Sequence, residues 1–487
     1  MASIRRRRAL QIGGAVLAAS AAGGGYAAYV ATRPLVFRHG VASGDPTARS
    51  VLLWTRVTVD DAEPIEVDWV ISTDERVNSI LATGKVTTNS DKDGTARVDV
   101  TDLQPGTTYH YRFAARGQKS KVGRTKTLPE GPVSSFKIAF LCCSSYGHGA
   151  FHPYAKLAEL RDIDLVVHLG DYIYEFASGE YGNARRYDPL HTCVSLDDYR
   201  RRHRQYKADR SLAEAHRLFP WITLWDDHDF ANNAFPGGAE GHKVDVHGDW
   251  PLRRDAARQA FLEYLPIRAE TTGPLSRSVQ LGDLADLIVL DSRMGAKTEP
   301  GKKRSRETML GNDQEDWLAE ALRGSKGQFC VLAQQLIIST LNVGERPYDQ
   351  VWQAYPRSRS RLLSQVQRFA RARTLCVSGD VHAAAAGIVR TSATESSNSP
   401  PAMVEFVTPG VTSPCPFVEL TTELNPHLAY LNTTQRGFLL LELTPKRAIA
   451  TFHHVDPPAA KGEQPVWSVG KQFGVTPGVV ALDEITG

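Results

Sequence analysis

The first region of the chain alternates apolar and polar residues in short segments. From about Val36 to Thr127 these segments are separated by Gly, Asp, Asn and Pro turns, which is typical of half-buried antiparallel strands. The stretch Leu103–Arg112 looks like a fibronectin-type sandwich corner. The pattern therefore predicts a small all-β, fibronectin-like domain over residues 36–128. Its predicted strands include Ser50–Val57, Ile65–Ile71, Ala96–Val100 and Thr108–Ala114.

After residue 135 the pattern changes to continuous apolar runs, which suit strands buried on both faces. Helical patterns at Gln314–Arg323 and Ser360–Arg373 lie between runs, and this alternation predicts an α/β layered domain over residues 135–457. Residues 458–487 are then a C-terminal tail or lid. The predicted strands are Phe136–Cys143, Asp164–Gly170, Trp221–Trp225, Asp286–Asp291, Phe329–Gln335, Thr374–Gly379 and Val404–Thr408.

The N-terminus has the features of an export signal. Four arginines at positions 5–8 precede a stretch of small and apolar residues, Leu10–Val30, as in a basic n-region followed by an h-region. Arg7-Arg8-Ala9-Leu10-Gln11 resembles the bacterial twin-arginine signal. We therefore expect residues 1–31 to be a twin-arginine-type signal peptide, read by the twin-arginine export machinery.

The expected location is secreted, periplasmic or cell-wall associated. The alternative is a retained membrane anchor, because the stretch approaches bilayer-spanning length. Its glycines and alanines make it only weakly hydrophobic, which favours export. No other segment of the sequence is long and apolar enough to span a bilayer, so no stable span is expected in the mature chain.

Composition narrows the function classes. The chain has 487 residues, is 42% hydrophobic and carries a formal charge of +3. The hydrophobic fraction excludes a mainly disordered chain. Four of the positive charges belong to Arg5–Arg8, and without them the formal charge is −1. A near-neutral mature chain gives no general electrostatic case for a nucleic-acid partner.

Several of the apolar runs end in side chains that bind metals. In α/β sheets, functional sites form beyond the carboxyl ends of the strands. Each ending by itself is also consistent with a turn, a helix cap or a core residue. Their recurrence indicates a shared site. The endings are Cys142-Cys143, Gly170-Asp171-Tyr172-Ile173-Tyr174, Asp226-Asp227-His228-Asp229 and Gly379-Asp380-Val381-His382.

These endings combine into one candidate metal-ligand set. If its thiol and phenol ionise, five members are anionic, and this charge requires more than one divalent ion. Phenolate and carboxylate suit a hard cation such as Fe³⁺. Two cations that share Asp171 would form the clamp used for in-line displacement at phosphorus. The set is Cys143, Asp171, Tyr174, Asp227, Asp380 and His382, with Asn233 as a weaker amide candidate.

These motifs together resemble the PhoD-type alkaline phosphatase/phosphodiesterases, a branch of the calcineurin-like metallophosphoesterase superfamily. The resemblance runs from about residue 36 to 457 and implies a layered β-sandwich core flanked by helices, preceded by the small all-β domain. It rests on Phe37–Pro46, His168–Glu175, Trp225–Asp229 and Ser378–His382.

The resemblance implies Fe³⁺ beside Ca²⁺, with Zn²⁺ or Mn²⁺ as alternatives. It implies that iron is held by Cys143, Asp171, Tyr174 and His382, with Asp171 bridging. The divalent ion would be held by Asp227 and Asp380, with Asn233 weaker. His228, polarised by Asp229, would contact phosphate and serve as a general acid. Arg186 or its neighbour Arg185 would clamp phosphate, and Gln334 or Gln335 occupies a strand end where the superfamily often has a histidine ligand.

The expected function is a secreted, metal-dependent phosphoesterase that hydrolyses phosphate mono- or diesters at alkaline pH. A metal-bound hydroxide or oxide would attack phosphorus in line. Two alternatives are a phospholipase D-like phosphodiesterase of the same family and a catalytically silent cell-wall binding protein. A glycoside hydrolase that uses Asp226 or Asp227 would not account for Cys143 and Tyr174.

Overall fold

The computed structural model describes residues 36–58, 63–269, 273–299, 308–344, 346–348, 350–392, 398–456 and 464–486. The predicted signal peptide, residues 1–31, lies outside the described residues. No helix in the described part of the chain is long and apolar enough to cross a membrane.

Strands are the main element of the fold. In chain order they are β1 (Val41–Gly44), β2 (Val51–Arg56), β3 (Ile65–Ser72), β4 (Ile80–Thr88), β5 (Thr95–Val100), β6 (Thr108–Ala115), β7 (Gln118–Lys119), β8 (Gly123–Lys126), β9 (Phe136–Leu141), β10 (Leu165–His168), β11 (Pro220–Thr223), β12 (Arg277–Leu281), β13 (Ala285–Val289), β14 (Phe329–Ala333), β15 (Asn342–Val343), β16 (Arg346–Pro347), β17 (Thr374–Ser378), β18 (Ala384–Arg390), β19 (Pro401–Val407), β20 (Leu428–Asn432), β21 (Arg436–Leu443), β22 (Ala448–Asp456), β23 (Val466–Val475) and β24 (Asp483–Glu484).

Helices lie mostly between β9 and β17. The α-helices are α1 (His152–Glu159), α2 (Leu196–Lys207), α3 (Arg210–Leu218), α4 (Val244–His247), α5 (Trp250–Tyr264), α6 (Gly311–Gly324) and α7 (Pro356–Phe369). Short 3₁₀ turns occur at Ser90–Lys92, Tyr146–His148 and Trp352–Ala354.

Two large sheets form the core. One has the strand order β24-β23-β22-β21-β9-β10-β11-β1-β2-β5, and the other has the order β12-β13-β14-β17-β19-β18-β20. Apolar side chains of both sheets meet in one buried cluster, for example Phe140 and Val167 with Val331 and Val377. This is face-to-face sheet packing. The predicted layered β-sandwich core flanked by helices is confirmed.

Helices cover the outer faces of these sheets. The cluster on the ten-stranded sheet includes Leu157 of α1, Leu212 of α3 and Phe261 of α5. The cluster on the seven-stranded sheet includes Leu318 of α6 and Leu362 of α7. The strands between these layers are therefore buried on both faces, which is why they read as continuous apolar runs.

The N-terminal region is all β. One group of its strands forms a separate sheet, and the other group joins a sheet of the core. Strands β3, β4, β6, β7 and β8 form a separate sheet, whereas β1, β2 and β5 extend the ten-stranded sheet. The link is a parallel pairing of β1 with β11, with Ser43 opposite Pro220. At the corner the hydroxyl of Tyr109 accepts a hydrogen bond from the Gln104 N–H at 2.9 Å, as in a tyrosine corner.

The C-terminal region also contributes to the ten-stranded sheet. Strand β23 pairs antiparallel with β22, and β24 pairs with β23 at the sheet edge. The segment predicted as a tail or lid thus contains two paired strands. Residues 457–463 lie outside the described part of the chain.

Candidate metal centre and active site

The predicted ligands follow parallel strands whose carboxyl ends lie at one edge. Strands β9, β10 and β11 are mutually parallel neighbours, and β17 belongs to the parallel part of the facing sheet. The chain leaves β9, β10 and β17 through an unusual backbone conformation: φ is positive at Cys143 (60°), Asp171 (54°), Asp380 (66°) and His382 (56°). Non-glycine residues rarely adopt this region, and when they do they cluster at functional sites.

Gly170 permits the sharp exit from β10. Its φ is +114°, and a Cβ atom there would lie 2.5 Å from the Asp226 Cβ and 2.6 Å from the Asp226 nitrogen. Only glycine allows the two strand-end loops to approach so closely. This contact brings the Asp171 loop against the Asp226–Asp229 loop.

The candidate ligands form three overlapping groups. Within each group one ligand atom per residue lies within 4.8 Å of the others. Asp171 is common to the first two groups and Asp227 to the last two, so the ligands form one continuous cluster. The groups are Cys143 with Asp171 and His382, Asp171 with Asp227 and His228, and Asp226 with Asp227 and Asp380.

Tyr174 completes the first group. Its hydroxyl donates to Asp171 Oδ2 at 3.0 Å, lies 3.2 Å from His382 Nε2, and accepts a hydrogen bond from the Ser413 hydroxyl at 2.7 Å. His382 Nδ1 lies 2.8 Å from the Pro414 carbonyl oxygen. A donor at Nδ1 leaves Nε2 with a free lone pair, the arrangement that orients a metal-binding histidine.

The first group fits a metal ion of high charge. Burial raises the pKa of the Cys143 thiol, the Tyr174 phenol and the Asp171 carboxyl well above their ordinary values. Burial also lowers the pKa of His382 to about 3, so its imidazole is neutral. Thiolate, phenolate and carboxylate forms require nearby positive charge in such an environment, and a bound cation supplies it. Sulfur, phenol and imidazole donors suit iron, and the carboxylates suit a hard divalent ion.

A buried arginine lies within the third group. Arg293 is fully buried; its Nε donates to Asp226 Oδ1 at 2.5 Å and its Nη2 to Asp380 Oδ1 at 2.7 Å. Nη2 is also 3.4 Å from Asp227 Oδ1. Burial alone would raise the pKa of Asp227, but the charges of Arg293 and His228 lower it to about 2. Arg293 follows β13, and sequence analysis assigned it no role.

The partner of His228 differs from the prediction. His228 Nδ1 bonds to Glu175 Oε2 at 2.9 Å, and the other oxygen of Glu175 accepts the Asn232 N–H at 2.6 Å. Asp229 instead accepts backbone N–H groups of Ile173 and Asp226 at 3.1 and 2.9 Å. The prediction that Asp229 polarises His228 is therefore wrong, because its carboxylate is occupied in holding the two loops together.

Glu175 raises the pKa of His228. Burial would lower the pKa of His228, but the carboxylates of Glu175, Asp227 and Asp171 raise it well above its ordinary value. The His228 N–H of the backbone donates to Asp171 Oδ1 at 3.1 Å, which fixes the imidazole beside the shared carboxylate. The site thus places His228, held by Glu175, next to the central ligand.

Aromatic rings enclose this histidine. The Tyr174 ring is stacked on the His228 ring with centroids 4.3 Å apart, and Tyr181 is stacked on Tyr174 at 5.2 Å. Phe176 lies 5.1 Å from the His228 ring. These rings restrict both the orientation of His228 and the access of water to it.

The weaker predictions have other contacts. The Asn233 backbone N–H donates to Asp227 Oδ2 at 2.5 Å, while its side-chain amide donates to Glu240 at 2.5 Å. Arg186 is exposed, and among the residues that the structure describes its side chain has no hydrogen bond or ion pair to the cluster. The phosphate clamp at Arg186 and the Asn233 ligand stay predictions.

Three other residues near the predicted site hold the loops. Arg185 pairs with Asp209 at 2.8 Å and lies over the Tyr146 ring. Gln335 donates to the Trp225 carbonyl at 2.7 Å, and Gln334 lies 3.2 Å from the Ser378 hydroxyl. The two glutamines therefore support the strand ends around the cluster.

Comparison with known proteins gives concordant matches over nearly the whole described chain. The sequence model of the PhoD-like phosphatase family matches residues 138–452, and that of the PhoD-like phosphatase N-terminal domain matches residues 24–129. Alkaline phosphatase D of Bacillus subtilis (strain 168) is 34% identical over 455 residues, covering 85% of this chain and 77% of that protein. A solved structure of PhoD superposes with a TM-score of 0.86 at 31% identity, covering 93% of this chain and 94% of that one.

Proposed function

The chain belongs to the PhoD-like phosphatase family and is a phosphoester hydrolase, and we propose that it cleaves phosphate mono- and diesters at alkaline pH with two bound cations. The observation that carries this proposal is the sharing of Asp171 between two ligand groups. A carboxylate common to both is the feature expected of a two-cation phosphoesterase clamp.

The residues sort by donor chemistry into two cation sites. We assign Fe³⁺ to Cys143, Asp171, Tyr174 and His382, because a phenol and a thiol accompany the carboxylate there. We assign Ca²⁺ to Asp227 and Asp380 together with Asp171, because these offer only oxygen; Zn²⁺ or Mn²⁺ are the alternatives. When bound, such cations supply Lewis-acid activation of the phosphoryl group and of a water molecule.

His228 is the proton donor in this proposal. Its ring lies beside Asp171 and is held by Glu175 at 2.9 Å. The Glu175 carboxylate raises the pKa of His228 and so favours the imidazolium, which can donate a hydrogen bond to an ester oxygen and a proton to the departing oxygen. Tyr174, Phe176 and Tyr181 hold the ring and limit competing contact with water.

Asp171→Asn tests this function. We expect hydrolysis of p-nitrophenyl phosphate and bis-p-nitrophenyl phosphate to fall by at least about 100-fold, with loss of bound metal. Asp162→Asn, a matched change of an exposed carboxylate that pairs with Lys137, should retain wild-type rates. Wild-type hydrolysis by Asp171→Asn would refute the proposal. The ratio of the two wild-type rates measures the preference for monoesters or diesters.

We also propose that the protein is exported through the twin-arginine pathway. The support is the arginine run at 5–8 and the weakly hydrophobic stretch that follows it. Changing both Arg7 and Arg8 to Lys should retain the precursor inside the cell, while the unchanged chain appears outside the membrane with a shortened N-terminus. Equal export of the two forms would contradict this proposal.

A further inference from the structure

A second buried cation lies near the carboxylate cluster and is unused by the mechanism above. Lys297 is 2% exposed and comes four residues after Arg293 in the loop that follows β13. Its Nζ has no hydrogen-bond partner in the part of the chain that the structure describes, and neither does Nη1 of Arg293. One short loop therefore presents two buried cationic groups with unused donors.

The carboxylates of the cluster accept no hydrogen bond from Lys297 Nζ or from Arg293 Nη1. Arg293 bonds Asp226 and Asp380 directly, whereas among the described residues Lys297 forms no ion pair within 4.0 Å. Leaving a buried amino group without hydrogen bonds is unfavourable. The oxygens of a phosphate are acceptors that would satisfy it.

Lys297 belongs to the same short loop as Arg293, whose guanidinium bonds Asp226 and Asp380. Burial and the like charge of Arg293 lower the pKa of Lys297 to about 7, and the carboxylates of Asp227 and Asp380 act in the opposite direction. His228 also interacts with Asp227, but it belongs to the group that contains Asp171. His228 and Lys297 therefore reach the cluster from different loops.

We propose that Lys297 Nζ, assisted by the free Nη1 of Arg293, binds non-bridging oxygens of the substrate phosphate at the Asp380 end of the cluster. This assignment rests on the proposed phosphoesterase function and adds a substrate-binding residue to it. An ammonium is a compact charge with three donors, which suits a phosphate. A bound phosphate anion also favours the charged form of the lysine.

A phosphate-binding lysine should affect monoesters and diesters to different extents. The phosphoryl group of a monoester carries more negative charge than that of a diester, so it gains more from a nearby ammonium. Loss of Lys297 should therefore weaken monoester binding more than diester binding. A lysine that only offsets the carboxylate charges would affect metal content or stability without this difference.

Lys297→Met removes the charge and keeps the length of the side chain. We expect the inhibition constant of inorganic phosphate and the KM for p-nitrophenyl phosphate to rise about tenfold or more. The KM for bis-p-nitrophenyl phosphate should rise less, kcat should change less than KM, and metal content should stay at the wild-type level. Phosphate should also raise the Tm of Lys297→Met less than that of the wild-type protein.

Lys207→Met is the matched control. Lys207 is also buried, but its Nζ lies 3.2 Å from His216 Nε2 and over the Trp54 ring. It should leave phosphate inhibition unchanged. Lys297→Gln, which keeps a polar terminus, provides a second variant if Lys297→Met does not fold.

Three outcomes overturn the assignment. If the wild-type enzyme is active and Lys297→Met is inhibited by phosphate as strongly as the wild type, Lys297 does not bind substrate. If metal content falls while phosphate inhibition is unchanged, Lys297 has only a structural role. If the wild-type protein neither hydrolyses phosphate esters nor binds phosphate, the proposed function fails together with this assignment.

Discussion

The contact between His228 and Glu175 gives a sharp prediction for Glu175→Gln. The two side chains are 10% and 3% exposed and are joined at 2.9 Å. Glutamine keeps the shape and the oxygen that accepts the Asn232 N–H, but it removes the negative charge that helps to keep His228 protonated. The substitution therefore changes electrostatics more than packing.

The size of the effect follows from the burial of the pair. A hydrogen bond to a charged group contributes about 1.5–3 kcal/mol, and one pKa unit corresponds to about 1.4 kcal/mol. Because the Glu175 carboxylate raises the pKa of His228, its removal should lower that pKa. The protonated form is then lost at lower pH, and activity at a fixed alkaline pH should fall about 10- to 100-fold.

The assay is the pH profile of kcat/KM for p-nitrophenyl phosphate. We expect the alkaline limb of Glu175→Gln to move to lower pH, with metal content unchanged. Glu180→Gln is the control, because Glu180 is an exposed carboxylate of the adjacent loop that accepts the Ala177 N–H. An alkaline limb that coincides with that of the wild type would show that Glu175 does not tune His228, and would refute the proton-donor role argued from this contact.

Two further predictions concern stability. Gly170→Ala should destabilise the protein by about 2–4 kcal/mol in urea unfolding, because φ is +114° and the new Cβ would meet Asp226 at 2.5 Å; an unchanged midpoint would contradict this. His203 has a pKa lowered by burial to about 3, so its contribution to stability is present above its unfolded pKa near 6.5 and is lost as pH falls toward 3. Between pH 7.5 and 5.0, the free energy of unfolding of His203→Phe should therefore fall by about 2 kcal/mol less than that of the wild type. An equal decrease for the two proteins would show that His203 is protonated in the folded state.

The ligand cluster was predictable from the sequence because each ligand lies close in the chain to a strand that the sequence shows. Strands β9, β10, β11 and β17 are buried on both faces and read as apolar runs. Each ligand follows such a run within a few residues, and the ends of parallel strands meet at one edge. The structure brings together all six predicted principal ligands: Cys143, Asp171, Tyr174, Asp227, Asp380 and His382.

The surrounding residues were not predictable in the same way. Asp229 is the next residue after His228, whereas Glu175 lies in the loop after β10, and only the path of that loop brings the Glu175 carboxylate to the imidazole. Arg293 and Lys297 lie in a loop. A loop has no regular spacing of residues, so the sequence does not indicate that these two side chains point into the protein.

Part of the fold also depended on non-local pairing. The all-β character of residues 36–128 follows from the alternation of apolar positions, but the parallel pairing of β1 with β11 joins segments that are distant in sequence. Helix α2 was missed because its sequence is strongly basic and polar, although Tyr199 and Tyr206 are buried. Its burial comes from packing against α3 and α5, which a single-sequence pattern does not show.

Metal analysis with a visible spectrum, run beside the phosphatase assay, decides whether the ligand cluster holds two cations. We expect about one iron per chain together with calcium, a broad visible band from the Tyr174 phenolate that disappears in Tyr174→Phe, and hydrolysis of p-nitrophenyl esters. A colourless protein that contains no metal, and that gains no activity when iron and calcium are added, would contradict the two-cation assignment.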